Sequence, residues 1–179
     1  MKQFFKKVAV TGPESTGKSW LTRKLADYYI AGFVDEYARD FISGLKREYN
    51  QEDILTIAQN QIIKESREEK KARGFLFCDT ELIVTKIWSL HKYGTVDPWI
   101  IRQIEANRYD LYLLCNVDLP WEFDEQREHP HLRNYFFEWY KKELESYGFP
   151  FAVVSGIGEQ RVLNAVAAVN DFFSLKDKE

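Results

Sequence analysis

Residues Gly12-Pro13-Glu14-Ser15-Thr16-Gly17-Lys18-Ser19 fill every fixed position of the pattern Gly-x-x-x-x-Gly-Lys-Ser/Thr. The glycines admit backbone angles and close approaches that a Cβ would obstruct, so successive N–H groups converge on an anion. Lys18 then reaches the β and γ phosphates of ATP, and the Ser19 hydroxyl is a ligand for Mg²⁺. Average residue frequencies would supply the fixed positions by accident in roughly one per cent of chains of this length. A phosphate-binding loop from Gly12 to Ser19 is the first expectation, with ATP and Mg²⁺ as its ligands.

Such loops serve kinases, GTPases and mechanical ATPases alike, so other residues must discriminate. Asp-x-x-Gly and Asn-Lys-x-Asp, which a Ras-like GTPase needs, occur nowhere in the chain; Asn116-Val117-Asp118 lacks the lysine. Phe77-Cys78-Asp79-Thr80 ends an apolar run on an acid, a Walker-B-like position from which Asp79 holds Mg²⁺ directly or through water, or contacts substrate. The bland alternative is that Asp79 or Thr80 caps the next helix, with Glu81 in its first turn. Asp35-Glu36-Tyr37-Ala38-Arg39 sets two carboxylates and an arginine at another strand end. A small-molecule kinase needs a base there to deprotonate the acceptor hydroxyl and groups to hold the acceptor. Glu36 is the preferred base and Asp35 the reserve; the competing reading makes Glu36 and Arg39 a surface pair at i, i+3.

The segment 118–133 carries Asp118, Asp124, Glu125, Gln126, Arg127, His129, His131 and Arg133. A lid here would close over ATP, neutralise charge on the transferring phosphoryl group and exclude water, against the alternative of a solvated loop. For His129 and His131, structural or surface roles outweigh metal binding. Ser155-Gly156-Ile157-Gly158 reads equally as an adenine edge or as a simple turn.

The elements that must position these residues alternate. Phe5–Thr11 reads as a buried strand, and a helix from Ser19 places Leu21, Leu25, Tyr28 and Tyr29 on one face until Gly32. A short strand at 33–35 follows. Asn50 is the expected N-cap of a helix to about Arg73, with Asp53 in its first turn. Ile54, Ala58, Gln61 and Ile62 form its buried face, and the mixed charges of 64–73 read as a solvated one. Gly74 ends this helix. Strands are expected at 75–78, 111–115 and 151–154, and helices at 81–93, 132–144 and 162–173. The result is an α/β fold, a five-stranded parallel sheet with helices on both faces.

At 179 residues one domain spanning 1–179 is expected, with 118–133 as its lid. Apolar residues at 45% and charged residues at 30% are ordinary globular values. The 25 basic and 28 acidic side chains leave a net charge of −3, so no general field attracts nucleic acid or an anionic membrane. The basic start Met1-Lys2-Gln3-Phe4 leads into no signal peptide or membrane span, which points to the cytoplasm. Cys78 and Cys115 lie in apolar runs and are expected to be buried, unpaired thiols. Oligomeric state is open.

Taken together, residues 12–19, Glu36-Tyr37-Ala38-Arg39, Cys78-Asp79-Thr80 and Asp124-Glu125-Gln126-Arg127 resemble the ribosylnicotinamide kinase domain of the bifunctional NadR family. The resemblance covers nearly the whole chain and implies the kinase unit alone, similar in fold to nucleoside and nucleoside-monophosphate kinases. It implies ATP contacts from Glu14, Ser15, Thr16, Gly17, Lys18 and Ser19, substrate contacts around Glu36 and Arg39, a functional acid at Asp79, and a lid arginine at Arg127. The implied reaction transfers the γ-phosphate to the 5′-hydroxyl of nicotinamide riboside, giving nicotinamide mononucleotide, a step of NAD biosynthesis. One position departs: family members often carry an aromatic residue before the Glu-Tyr pair, and this chain has Asp35. Tyr37, Trp88, Trp99 and Trp121 are the alternative stacking faces. The competing class is an ATP-hydrolysing regulator or assembly factor acting on a protein partner.

Overall fold

The strand carrying Lys7-Val8-Ala9-Val10-Thr11 is buried at every one of those positions, so it must be covered on both faces. In the computed structural model, which describes residues 5–106 and 109–175, this strand is β1 (Phe5–Thr11), the centre of an all-parallel sheet. The others are β2 (Gly32–Val34), β3 (Gly74–Asp79), β4 (Leu111–Cys115) and β5 (Phe151–Val154), in the order β2-β3-β1-β4-β5. The basic start at residues 1–4 lies outside the described residues.

Alternation of side chains along the strands divides the core. Val8 and Val10, with Phe77, Leu113 and Cys115, pack under α1 (Lys18–Tyr29) and α7 (Glu159–Phe173). Ala9, with Leu76, Cys78, Tyr112 and Leu114, faces α3 (Gln51–Glu69), α4 (Leu82–Tyr93), α5 (Pro98–Glu105) and α6 (Arg133–Tyr147). A short helix, α2 (Tyr37–Gly44), follows β2. Because the chain leaves β1 toward β2 on one side of the sheet and later crosses from β3 to β4 on the other, a crevice opens at the carboxyl end of β1, where open α/β sheets bind ligands. Val10 is in register with Asp79 across that end.

Asn50 caps α3 as its sequence implies: its side chain accepts from Asp53 N–H at 3.0 Å, and the Asp53 carboxylate accepts from Asn50 N–H at 2.8 Å. The helix stops at Glu69, short of Arg73. Its charged second half is not wholly solvated. Glu65 is buried and meets Lys7 Nζ at 2.6 Å, with Glu69 at 2.7 Å and the Tyr109 hydroxyl donating to Glu65 at 2.7 Å. Burial alone would depress the Lys7 ammonium, but the adjoining Glu65 carboxylate holds it above its ordinary range. A charge on an internal strand demands such partners, and spacing along α3 alone does not reveal them.

Two helices escape the periodicity reading. In α2 the apolar residues Tyr37, Ala38, Phe41 and Ile42 do recur at helical spacing, but the element is only eight residues long and buries Ala38 alone. For α5 the signal was present, since Asp97 caps it by accepting from Trp99 N–H at 2.7 Å and Pro98 takes the first helical position. The helix after Asp79 is capped by neither Asp79 nor Thr80: Glu81 is its N-cap and accepts from Ile83 N–H at 2.6 Å. Cys78 and Cys115 are buried and free. Among the described residues no helix is long and apolar enough to cross a membrane.

Candidate active site

The loop from Gly12 to Ser19 joins β1 to α1 at the crevice. At Gly12 the backbone runs at φ +133°, and a Cβ there would meet the Cys115 carbonyl oxygen at 3.0 Å, so glycine is required. Gly17, at φ +74°, caps α1 and directs that helix's N-terminus at the loop. Lys18 Nζ and Thr16 Oγ1 donate to the Pro13 carbonyl at 2.7 and 2.8 Å, folding the loop into a cradle.

The cradle is braced from behind by Arg161, whose guanidinium is fully buried. It donates to the carbonyls of Thr16 (2.9 Å), Asn116 (3.1 Å) and Gly156 (2.9 Å), and pairs with Asp118 at 2.5 Å. Asp118 also accepts from Gly156 N–H at 2.6 Å, so the 155–158 turn is tied to the phosphate loop through one carboxylate and one guanidinium.

Asp79 ends β3 beside this loop and is buried. Burial raises its pKa, opposed by hydrogen bonding from Ser19, the charge of Lys18 and a 3.3 Å bond from Thr80 Oγ1. Thr80 holds φ +71°, a strained angle for a β-branched residue, at the point where the chain leaves the sheet.

Glu36 sits between β2 and α2 and lines a narrow cleft with Ala38, Ile57, Gln61, Thr80, Thr85 and Trp88. Burial raises its pKa, the Asp79 charge raises it further, and Lys18 and Arg39 offset part of the effect. Glu36 therefore shares one electrostatic environment with Lys18, Asp79 and Glu14. Its neighbours turn elsewhere. Asp35 pairs with Arg23 at 2.9 Å on the exposed side of α1. Arg39 pairs with Asp124 at 2.8 Å, so the expected alternative of a Glu36–Arg39 surface pair is not what forms. Tyr37 N–H donates to Gln61 at 2.9 Å, and its ring lies 5.9 Å from that of Phe41.

The 118–133 segment crosses the phosphate loop. Ser15 Oγ accepts from Glu122 N–H at 2.9 Å; Arg127 reaches the Glu122 carbonyl at 2.6 Å and Ser15 Oγ at 3.4 Å. Arg133 donates to the carbonyls of Ser15 (3.2 Å) and Leu119 (2.9 Å). Two arginines thus flank the cradle. Glu14 faces the crossing segment and accepts from the N–H groups of Glu128 and His129, each at 3.2 Å. The His129 ring packs against His91 at 4.8 Å and against Phe136, and His131 is exposed. Among the described residues no group of three or more His, Cys, Asp or Glu is placed to hold a metal ion.

Sequence reasoning missed Glu81. It is fully enclosed at the cleft floor, accepts from Thr11 Oγ1 at 2.8 Å, and burial pushes its pKa up to about 7. The signal available was an acid directly after Asp79-Thr80. For Arg161 no local signal existed, since it is one of several polar residues in the first turn and along α7.

A parallel α/β sheet with a glycine loop between its central strand and a helix, and an acid at the adjoining strand end, defines a P-loop nucleotide-binding protein. The chain belongs to the family described as AAA domain (AAA_28), whose model matches residues 7–161. It is 30% identical over 131 residues to the trifunctional NAD biosynthesis/regulator protein NadR of Salmonella typhimurium, an alignment covering 69% of this chain and 32% of that protein. The chain thus spans about a third of the length of the curated relatives it matches. Among solved structures, a NadR protein in complex with NR superposes with a TM-score of 0.84 at 26% identity, covering 98% of this chain and 54% of the other. A NadR protein in complex with NAD and AMP-PNP superposes at 0.81, also at 26% identity, covering 98% and 51%. The resemblance to NadR read from the motifs is therefore shown, and it lies in the P-loop part.

Proposed function

We propose that the protein is an ATP- and Mg²⁺-dependent small-molecule kinase that transfers the γ-phosphate of ATP to the 5′-hydroxyl of nicotinamide riboside or a related nucleoside-like metabolite. The observation that carries this reading is that Lys18, Asp79 and Glu36 share one electrostatic environment at the sheet edge, with Glu36 also lining a narrow cleft beside Trp88. A nucleotide hydrolase needs no such cleft; a kinase needs room for an acceptor whose hydroxyl meets a base. The NadR structures in complex with NR and with AMP-PNP support the same pair of ligands here.

In this reading the backbone of Gly12, Ser15, Thr16 and Gly17 cradles the phosphates while Lys18 turns from the Pro13 carbonyl to the β and γ oxygens. Ser19 and Asp79 supply hydrogen-bonded hard oxygens at the helix N-terminus, a donor set that fits Mg²⁺, which would neutralise charge between the β and γ phosphates. Glu36 takes the proton from the acceptor hydroxyl, aided by the raised basicity that burial and Asp79 give it. Arg127, beside Ser15, moves onto the transferring phosphoryl group, and the 118–133 lid excludes water. Of the other substrate-side residues, Tyr37 borders the acceptor, Asp35 sits at its outer rim, and Arg39 acts through Asp124. Residues 1–179 work as one domain with this lid, in the cytoplasm, as a step of NAD biosynthesis.

The test is a mass-spectrometric screen of nicotinamide riboside, common nucleosides and vitamin-like alcohols with ATP and Mg²⁺. A phosphorylated product formed faster than acceptor-free ADP is expected. No product from any acceptor, with hydrolysis stimulated by a protein partner, would overturn the kinase reading in favour of an ATP-driven regulator.

A further inference from the structure

A chain of side chains that phosphoryl transfer itself does not require joins the cleft to the segment crossing the phosphate loop. Trp88, on α4, forms a wall of the cleft shared with Glu36. Its indole N–H donates to the Tyr49 hydroxyl at 3.0 Å, the two rings meeting edge to face at 4.9 Å. The same hydroxyl donates to the Glu128 carboxylate at 2.9 Å. Lys92 Nζ lies 3.6 Å from the centre of the Tyr49 ring and 4.0 Å from the Glu128 carboxylate, flanking the junction. From Glu128 the path is short: its own N–H and that of His129 donate to Glu14 in the phosphate loop.

One oxygen, the Tyr49 hydroxyl, therefore stands between a cleft wall and the segment that covers the phosphates. Its backbone does not drift, because Tyr93 Oη donates to the Tyr49 carbonyl at 3.1 Å and the next residue is the capped start of α3. Burial raises the phenol pKa, so the hydroxyl remains a donor across the neutral range. A ring or sugar packed on Trp88 restrains the indole; the indole N–H occupies one lone pair of Tyr49 Oη, and the remaining proton is then aimed at Glu128.

We propose that Tyr49 is a positioning residue that couples occupancy of the cleft beside Trp88 to the seating of residues 122–129 over the phosphate loop, so that ATP is shielded from water while an acceptor is bound. This rests on the kinase reading above. It goes beyond it by assigning the coupling to Tyr49 and Glu128, neither of which touches the reacting atoms, and by giving Glu14 the task of receiving the segment.

The experiment uses the full chain with ATP, Mg²⁺ and nicotinamide riboside, measuring ADP and phosphorylated product together, and in parallel tryptic cleavage after Arg127 with a non-hydrolysable ATP analogue bound. Tyr49→Phe keeps the ring and its Lys92 contact while deleting the junction. It is expected to raise the ADP formed per product about tenfold, the low end for one hydrogen bond to a charged group. The KM for the acceptor rises, the KM for ATP stays, and cleavage quickens. Glu128→Ala should match it, the double variant should add nothing further, and Glu128→Gln, which keeps an acceptor oxygen, should restore most of the coupling. Unchanged ADP-to-product ratio and cleavage in Tyr49→Phe, or strict additivity in the double variant, would overturn the proposal. If the wild-type protein forms no product, the kinase reading fails on that result alone. The cleavage assay, which needs no acceptor, then still decides whether Tyr49 holds the segment: faster cleavage supports it, and equal cleavage overturns it.

Discussion

Replacing Glu36 by Gln removes a proton acceptor while keeping the shape of the side chain in the cleft. The carboxyl is raised first by burial and then by the negative charge of Asp79, with Lys18 and Arg39 in partial opposition. Raised basicity improves proton abstraction near neutrality, and a positioned general base contributes about 10² to 10⁴ in rate, or roughly 3–5 kcal/mol of barrier. Glu36→Gln should therefore lower kcat by two to four orders of magnitude, with KM for ATP changed by less than about twofold because the phosphate cradle is untouched. The wild-type rate should rise with pH through an ascending limb displaced above the ordinary glutamate range, and the variant should lose that limb. Steady-state product formation followed by mass spectrometry from pH 5 to 9 measures both. Transfer at near wild-type rate in Glu36→Gln, with the limb intact, would refute the assignment and return the base to Asp35 or Asp79.

Arg127→Ala should cut turnover about 10³-fold, the low end for arginines that neutralise a transferring phosphoryl group, and unchanged turnover in the same assay would make the 118–133 segment an ordinary solvated loop. Arg161→Met deletes a buried guanidinium bonded to Thr16, Asn116, Gly156 and Asp118, leaving three carbonyls without their donor and the Asp118 carboxylate with only the Gly156 N–H. A loss of about 3–5 kcal/mol follows, or a fall in Tm of roughly 6–20 °C, read by calorimetry. Glu81 has a folded pKa near 7, above its unfolded value, so the folded state holds the proton more tightly. Its contribution to stability is full below the unfolded pKa and is lost as pH rises toward 7. Thermal scans should show the wild type losing up to about 3 kcal/mol more than Glu81→Gln between pH 4.5 and 7.5, and parallel pH profiles would contradict the burial argument.

How much could be read in advance depended on where the interacting atoms lie along the chain. The strands at 111–115 and 151–154 appear where their apolar runs put them: the first is buried at every position, as a strand covered on both faces must be, and the second is a short edge strand whose Val153 is exposed. The capping box of Asn50 and Asp53 is equally local. Helix α2 has a local apolar spacing over only eight residues, and what holds it is distant: Tyr37 N–H on Gln61 and Arg39 on Asp124, 24 and 85 residues away. The charge run 64–73 was misjudged at Glu65 for the same reason: its partner Lys7 lies 58 residues upstream.

The phosphate loop is the part the sequence determined by itself. Its function resides in backbone N–H groups and in glycines that must adopt positive φ, and eight contiguous residues between a strand and a helix suffice to specify them. The tertiary structure alone decided among the acids. Asp35 and Glu36 are adjacent in sequence, yet the turn between β2 and α2 sends one to Arg23 in solvent and the other to the cleft beside Asp79. It alone brought Glu14 to the crossing segment, Glu81 to the cleft floor and Arg161 behind the cradle. Each of these depends on desolvation and on partners distant along the chain, and neither quantity exists until the sheet and its two helical layers close around them.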